Sequence, residues 1–358
     1  MPSLKEIKGR INSISSTLAI TSAMKMVAAA KLQKAQMAIQ NMLPYERRLH
    51  SMLIDLMGAM NISAAASEDG SVRGSGSAER GFDQSGDRLS LSNRHDLAGM
   101  DGAYSLMAQR EVRKVAIVAF ASNSSLCGAF NSNVIREATA VINEYRASGL
   151  GDADITVYSV GRKMAEAMKK LGFPSPADFT KMSDSPSYDA ASALAQELFD
   201  GFVSGRFDKV ELVYNHYKST SSQPTTRQTY LPLSLADATA DLQAGKITDP
   251  ASETDTNRVA EPVGAPVVRQ GSPTTEDLIV EPSKEALIAT LLPKVIRLRI
   301  FTTLLDSAAA EHAARTVAMQ LATDNGNDLL QELTLEYNKG RQQKITSEIL
   351  DLVGGSMQ

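Results

Sequence analysis

EALIATLLPKVIRLRIFTTLLDSAAAEHAARTVAMQLATDNGNDLLQELTLEYNKGRQQKITSEILDL, residues 285–352, reads as one very long helix with almost no punctuation. Apolar or small residues recur at threes and fours: Leu291, Val295, Leu298, Leu305, Ala309, His312, Thr316, Met319, Thr323, Gly326, Leu330, Leu333 and Tyr337. That spacing is the seam of a helix laid on another helix. The first forty residues carry the same pattern at Ile7, Ile11, Ile14, Leu18, Thr21, Met24, Ala28, Lys31, Ala35 and Met42.

A helix of some sixty residues is about 90 Å long at ~1.5 Å per residue, too long to bury its face inside one small domain. The economical arrangement pairs the two ends as an antiparallel coiled coil, with the intervening chain folded as a separate lump at one end. The Ala, Gly, Thr and Ser along both seams predict a thin rod.

Between the ends, VRKVAIVAFA (112–121), ITVYSVG (155–161) and the run from Lys209 to His216 are short β-branched runs of the kind found in a buried parallel sheet. Helical patterns lie between them, at 130–146 with Val134, Ile135, Ala138, Val141, Ile142 and Tyr145 inward, at 162–171 and at 188–203. RQTYLPL from Arg227 adds an extended segment. The expected class is α/β plus long α: an antiparallel coiled coil of the N- and C-terminal helices with an inserted Rossmann-like, doubly wound domain. The expected divisions are an N-terminal coiled-coil helix over 1–62, a flexible insertion over 63–110, the α/β domain over 111–235, a second flexible insertion over 236–280, and the C-terminal helix over 281–358. Ser3 and Ser283 suit helix caps; Pro44 predicts a kink or break, and Pro293 a kink or a later helix start.

Composition excludes several functions. Of 358 residues, 43% are hydrophobic, ample for a core, and the formal charge of −4 leaves no nucleic-acid footprint overall. Residues 1–40 are locally basic, with Lys5, Lys8, Arg10, Lys25, Lys31 and Lys34 against Glu6 alone. Such a run reads as a solvated face, as a site for an acidic protein partner wrapped around the rod, or, without aromatic interleaving, weakly as a nucleic-acid face. Cys127 is the one cysteine, which rules out a disulfide framework, a dithiol switch and a cysteine zinc cluster within the chain and suggests a reducing compartment. With no apolar run near eighteen residues and no charged-then-apolar leader, the chain is expected to reach a membrane only through partners.

The α/β region lacks G-x-x-x-x-G-K-[ST], Gly74 and Gly76 do not sit between a strand and a helix, and His50, His95, His216 and His312 form no close pair. Cys127 reads as a small buried turn residue and His312 as a seam residue. No acid, base and nucleophile assemble, so the expectation is a chain without catalytic residues, cofactor or metal.

LKEIKGRINSI and ITSAMKMVAAAKLQKAQ near the start, SLCGAFN, VEPSKEAL, and EHAARTVAMQLATDNGNDLLQELTLEYNKGRQQKITSEILDLVGG near the end resemble the gamma subunit of the F-type rotary ATP synthase. The likeness spans about the first sixty residues, the α/β region and the last eighty. It implies a central rotor stalk that couples ion-driven rotation of a membrane ring to ATP synthesis or hydrolysis on catalytic beta subunits, regulating ATPase activity and proton flow. The chain would itself be non-catalytic and bind no nucleotide. Implied partners are the ring of alpha and beta subunits, the epsilon subunit, the c-subunit ring and, in the same complex, the delta subunit. Implied location is the cytoplasmic face of a bacterial inner membrane, as a peripheral protein.

Residue by residue, the resemblance gives Met24, Lys25, Met26, Val27, Lys31, Arg315, Met319, Thr323, Asp324 and Asn325 to the interface with the catalytic ring. Tyr337, Asn338, Arg341, Gln342, Ile345, Thr346, Glu348 and Ile349 fall to the tip that turns in an apolar bearing. The departures are Ser122–Ser125 in place of Asp-Arg-Gly before Leu-Cys-Gly, Ser22 for a common lysine, Gly340 for an alanine, and a PKVIRLRIF segment (293–301) more apolar than usual. Two readings from other classes are a nucleotide-binding α/β enzyme with a coiled-coil dimerisation arm, which would bind ATP alone, and a coiled-coil adaptor, which would bind partners without controlling ATP turnover.

Overall fold

A computed structural model describes residues 3–68, 110–233 and 284–355. In chain order the elements are α1 (Leu4–Glu68), β1 (Val115–Phe120), α2 (Phe130–Ala147), β2 (Ile155–Val160), α3 (Arg162–Lys170), the one-turn α4 (Thr180–Asp184), α5 (Tyr188–Val203), β3 (Lys209–Asn215), β4 (Thr225–Leu231) and α6 (Lys284–Gly355).

The terminal helices hold 65 and 72 residues, about 98 and 108 Å at ~1.5 Å each. They run antiparallel. Thr323 Oγ1 donates to Thr21 Oγ1 at 3.1 Å, Gly326 lies against Leu18, and Gly340 lies against Leu4. At the far end Thr302 Oγ1 donates to Glu46 Oε1 at 3.1 Å. At Gly326 a Cβ would stand 2.6 Å from Leu18 Cδ2, so the small residue there is what lets the two backbones approach. Gly340, the departure from alanine, makes similar room for Leu4, whose Cδ2 a Cβ would meet at 3.2 Å. Ser3 caps the first turn, its Oγ accepting from Glu6 N at 3.3 Å.

The sheet order is β2-β1-β3-β4, with β1 parallel to β2 and β3. β4 closes the edge antiparallel to β3. α2 and α3 cover one face, packing Val134, Ala138, Val141, Ile142, Met164 and Met168 on Ile117, Val157 and Val213. The other face packs on α5 and on α6 itself, through Leu194, Leu198 and Phe202 together with Val295, Ile296, Leu298 and Leu304.

The packing of α6 on the sheet corrects the expected separate lump. Leu49, Leu53 and Leu56 of α1 and Ile288 through Leu304 of α6 belong to the same core as the sheet, so rod and domain are fused along one side. The apolar PKVIRLRIF segment is thereby explained: it is the strip of α6 that lies under the strands, and Tyr230 Oη donates to the Ile296 carbonyl at 2.9 Å across that contact. α1 also runs six residues past Ile62, into the expected insertion, and neither proline breaks its helix. Pro44 forfeits one backbone hydrogen bond, but Leu49, Leu53 and Leu56 beyond it are anchored in the sheet core, and that burial outweighs ~3 kcal/mol. Apart from residues 63–68 and Arg110, the segments 63–110 and 236–280 lie outside the described residues.

Candidate functional site

Two places could carry function: the crevice at the carboxyl ends of the strands, and the surface of the rod. In an open α/β sheet a ligand enters where the strand order reverses, which here is between β1 and β3. The backbone builds that corner tightly. Gly161 holds φ +95° at the end of β2, where a Cβ would fall 2.0 Å from the Ala121 carbonyl oxygen.

The chain fills the crevice with its own side chains. Asn131 Oδ1 accepts from Ser122 N at 3.0 Å, and Asn215 Nδ2 donates to the Phe130 carbonyl at 3.1 Å. Cys127 is buried, as expected for a turn residue, and packs with Phe130 against Ala310 of α6. The Arg315 guanidinium donates to the Ser125 carbonyl at 2.6 Å, to Ser124 Oγ at 2.9 Å and to Glu311 Oε1 at 2.6 Å. The N-terminus of α2, where a phosphate would sit on free backbone N–H groups, is therefore roofed by a turn of α6. The serines standing in place of Asp-Arg-Gly are the acceptors for that clamp.

Glu311 is buried beside this guanidinium. Burial pushes its carboxyl up, with Arg315 and Lys31 opposing and Asp184 adding to the rise. His312 is pushed down to about 4, by burial first and then by Lys31 and Arg315, and stands neutral at pH 7. No group of three or more His, Cys, Asp or Glu that could hold a metal occurs among the described residues.

The rod surface is organised differently. Of the interface residues read from the sequence, Met26, Val27, Lys31, Asp324 and Asn325 are exposed, and Met24, Lys25 and Thr323 are half-buried. Arg315 and Met319 are buried against the chain's own residues; Arg315 is held by the clamp on Ser124 and Ser125. Lys31, expected on the seam, points to solvent, and Leu32 takes the seam position against Ala309 and Ala313.

Leu4, the first residue of α1, lies against Gly340 of α6. Residues 341–355 continue α6 beyond that level for about 22 Å at ~1.5 Å per residue. Arg341, Gln342, Ile345, Thr346, Glu348 and Ile349 are all exposed there, Asn338 is exposed just before, and Tyr337 is half-buried on the seam.

Sequence reasoning missed a second set. Ile20 and Met37 on α1, and Leu321, Leu329, Leu335, Leu350 and Leu352 on α6, stand in solvent, Leu335 at 65% exposure. Their signal was present, since each is a large apolar residue off the seam. The two sides of the rod also differ in charge. α1 presents the basic run of residues 5–34, while α6 presents Asp324, Asp328, Glu332 and Glu336 against Lys339 over 321–340. In cross-section the rod is thus unlike in charge on its two sides.

The sequence pattern of the ATP synthase family matches residues 3–357. The chain is similar to the ATP synthase gamma chain of Phocaeicola vulgatus, 48% identical over 357 residues that cover all of both chains. It is 35% identical to the ATP synthase gamma chain of Flavobacterium psychrophilum, over 99% of this chain and 98% of the other. Its fold is similar to that of a chain in the mitochondrial ATP synthase of Euglena gracilis, at a TM-score of 0.52 and 18% identity, covering 99% of this chain and 93% of that one.

Proposed function

Since the chain belongs to the ATP synthase gamma family, we propose that it works as the shaft of an F-type ATP synthase and does no covalent chemistry of its own. Its role is that of the central stalk. The observation that carries the mechanism is the rod itself: long, thin, unlike in charge on its two sides and ending in a helical stretch with exposed apolar residues.

Such a rod turning inside a ring of alternating alpha and beta subunits meets each catalytic subunit with a different face. Differential contact is what biases a subunit between open and closed states, so rotation and ATP turnover are coupled through contact free energy. The exposed Met26, Val27, Lys31, Asp324 and Asn325, joined by Ile20, Leu321, Leu329 and Leu335, are the residues for that contact. Exposed ion pairs are worth only about 0–1 kcal/mol each, which suits a surface that must release every partner in turn. The tip beyond Gly340, with Ile345 and Ile349 exposed, fits an apolar bearing. The α/β domain at the other end is the part available to the epsilon subunit and the c-subunit ring, with delta in the same complex.

ATP chemistry belongs to the partners on this reading. The filled crevice supports it, because a nucleotide there would have to displace the Arg315 clamp and leave Glu311 buried without its counter-charge. No helix among the described residues is long and apolar enough to cross a membrane, and attachment goes through the complex, on the cytoplasmic face of a bacterial inner membrane.

The test is reconstitution. Alpha and beta subunits are purified, and ATP hydrolysis is measured with and without the chain; sustained hydrolysis that requires the chain is expected. Calorimetry of the chain alone with ATP should show no binding, and binding or turnover by the chain alone would restore the nucleotide-enzyme reading.

A further inference from the structure

Rod and α/β domain meet along an apolar strip, and apolar packing by itself resists sliding and rolling poorly because it is non-directional. Beside the Tyr230–Ile296 hydrogen bond, further polar ties cross the same junction. Asp306 of α6 has Oδ2 2.6 Å from His216 Nδ1 and accepts from Tyr217 N at 2.9 Å through Oδ1, at the end of β3. Arg315 holds the turn after β1 through Ser124 and Ser125. Tyr217 reaches the other rod helix as well, its Oη accepting from Gln36 Nε2 of α1 at 2.7 Å.

The placement of these ties is informative. Asp306 and Arg315 are nine residues apart, about two and a half turns, so they leave α6 on opposite flanks, roughly 14 Å apart along its axis. Ala310 and Ala314, at the centre of the face between them, pack against the Cys127, Phe130 and Tyr217 group. A helix gripped on both flanks of its buried face cannot roll about its own axis without breaking a tie. Tyr217 extends the grip to α1, so both strands of the rod are indexed to one corner of the sheet.

We infer that this junction, with Asp306, Arg315, Tyr217 and Gln36 as positioning residues, fixes the angle of the rod relative to the α/β domain, so that torque passes between tip and foot through it. The inference rests on the rotor reading above and adds where the shaft's stiffness against twist is built.

The experiment uses the assembled catalytic complex, immobilised through its beta subunits, with a small gold probe on the α/β domain through the exposed position Lys170→Cys. The angular spread of the probe is recorded during ATP-waiting pauses. Asp306→Ala combined with Gln36→Leu removes two of these ties and leaves the Arg315 clamp, and is expected to raise the angular variance about twofold, with the chain still assembled and turning. Gln36→Leu alone, which touches only the tie to α1, should move it the same way by less. Glu211→Gln, which weakens the buried core of the domain away from the junction, serves as comparison and should leave the spread at the wild-type value. An unchanged spread in the Asp306→Ala, Gln36→Leu chain overturns the inference, as does equal widening in Glu211→Gln, which would mark general loosening. A wild-type chain that fails to join alpha and beta overturns the rotor reading itself, and this inference with it.

Discussion

Gly326→Ala probes how closely the two rod helices approach. In an isolated helix the change is favourable by about 1 kcal/mol, because alanine has less backbone entropy to lose. Here the new Cβ would fall 2.6 Å from Leu18 Cδ2 and 3.1 Å from Leu18 Cγ. Leu18 must leave its place on the seam, and overpacking of that kind costs about 1–3 kcal/mol. The two effects leave a net destabilisation of about 0–2 kcal/mol. In a Leu18→Ala background both clashing atoms are gone, and the same Gly326→Ala change should then stabilise by about 1 kcal/mol. The sign reversal corresponds to a coupling of about 1–3 kcal/mol in a double-mutant cycle. Guanidinium unfolding of the four full-length chains, followed by circular dichroism at the helical band, measures it. If Gly326→Ala stabilises equally in both backgrounds, the helices stand further apart at this level than the 2.6 Å approach requires, and the thin-rod account fails there.

Four further outcomes are expected. Glu211 is 1% exposed and takes hydrogen bonds from Arg227, Lys209 and Tyr145, so Glu211→Ala, which strands those partners, should cost about 3–5 kcal/mol by denaturant unfolding. Burial raises its carboxyl but those bonds outweigh burial and hold it below the ordinary value. Its contribution is thus present above the ordinary carboxylate range and lost as pH falls through the lowered folded value; Glu211→Gln should flatten the stability curve below pH 4.5. His312, at about 4 in the folded chain against 6.5, binds its proton more readily when unfolded, so stability should fall between pH 6.5 and 4. His312→Gln should remove roughly 1–2 kcal/mol of that slope, allowing for partial solvent screening; an identical slope would refute it. Arg315→Ala leaves Glu311 buried alone and should cost about 3–5 kcal/mol, whereas Arg315→Met with Glu311→Gln should recover most of the loss. Deleting residues 341–358 removes a stretch of α6 well past the part packed on the sheet, so the melt of the α/β domain should not move while turnover of the assembled complex falls; a lowered domain melt would contradict that separation.

Much of this molecule is legible in its periodicities. The 3.6-residue rhythm at both termini and the three β-branched runs between them give the rod, the parallel strands and the helices α2, α3 and α5 to within a few residues. Periodicity says that a face is buried and is silent on what covers it. Val295, Ile296, Leu298 and Leu304 fit a coiled-coil seam as well as they fit the floor of a sheet, so the fusion of rod and domain was not readable. Arg315 was placed by resemblance alone, and only the three-dimensional position of Ser124 and Ser125 reveals its acceptors on the same chain. Lys31 and Leu32 are adjacent and differ by about 100° around the helix, so a one-residue error in phase exchanged seam and surface. Pro44 and Pro293 carry strong local signals that long-range burial overrides. Leu321, Leu329 and Leu335 were visible all along as apolar residues off the seam, and counting only the seam hid them.

The central claim is that this chain is a shaft. The most direct measurement fixes alpha and beta subunits to a surface, attaches a probe to the α/β domain, and watches it as ATP is supplied. Sustained rotation in one direction that stops when ATP is withdrawn is the predicted result. A probe that stays still on a complex that hydrolyses ATP at full rate would contradict it, and would make the chain a static brace between the catalytic ring and its foot.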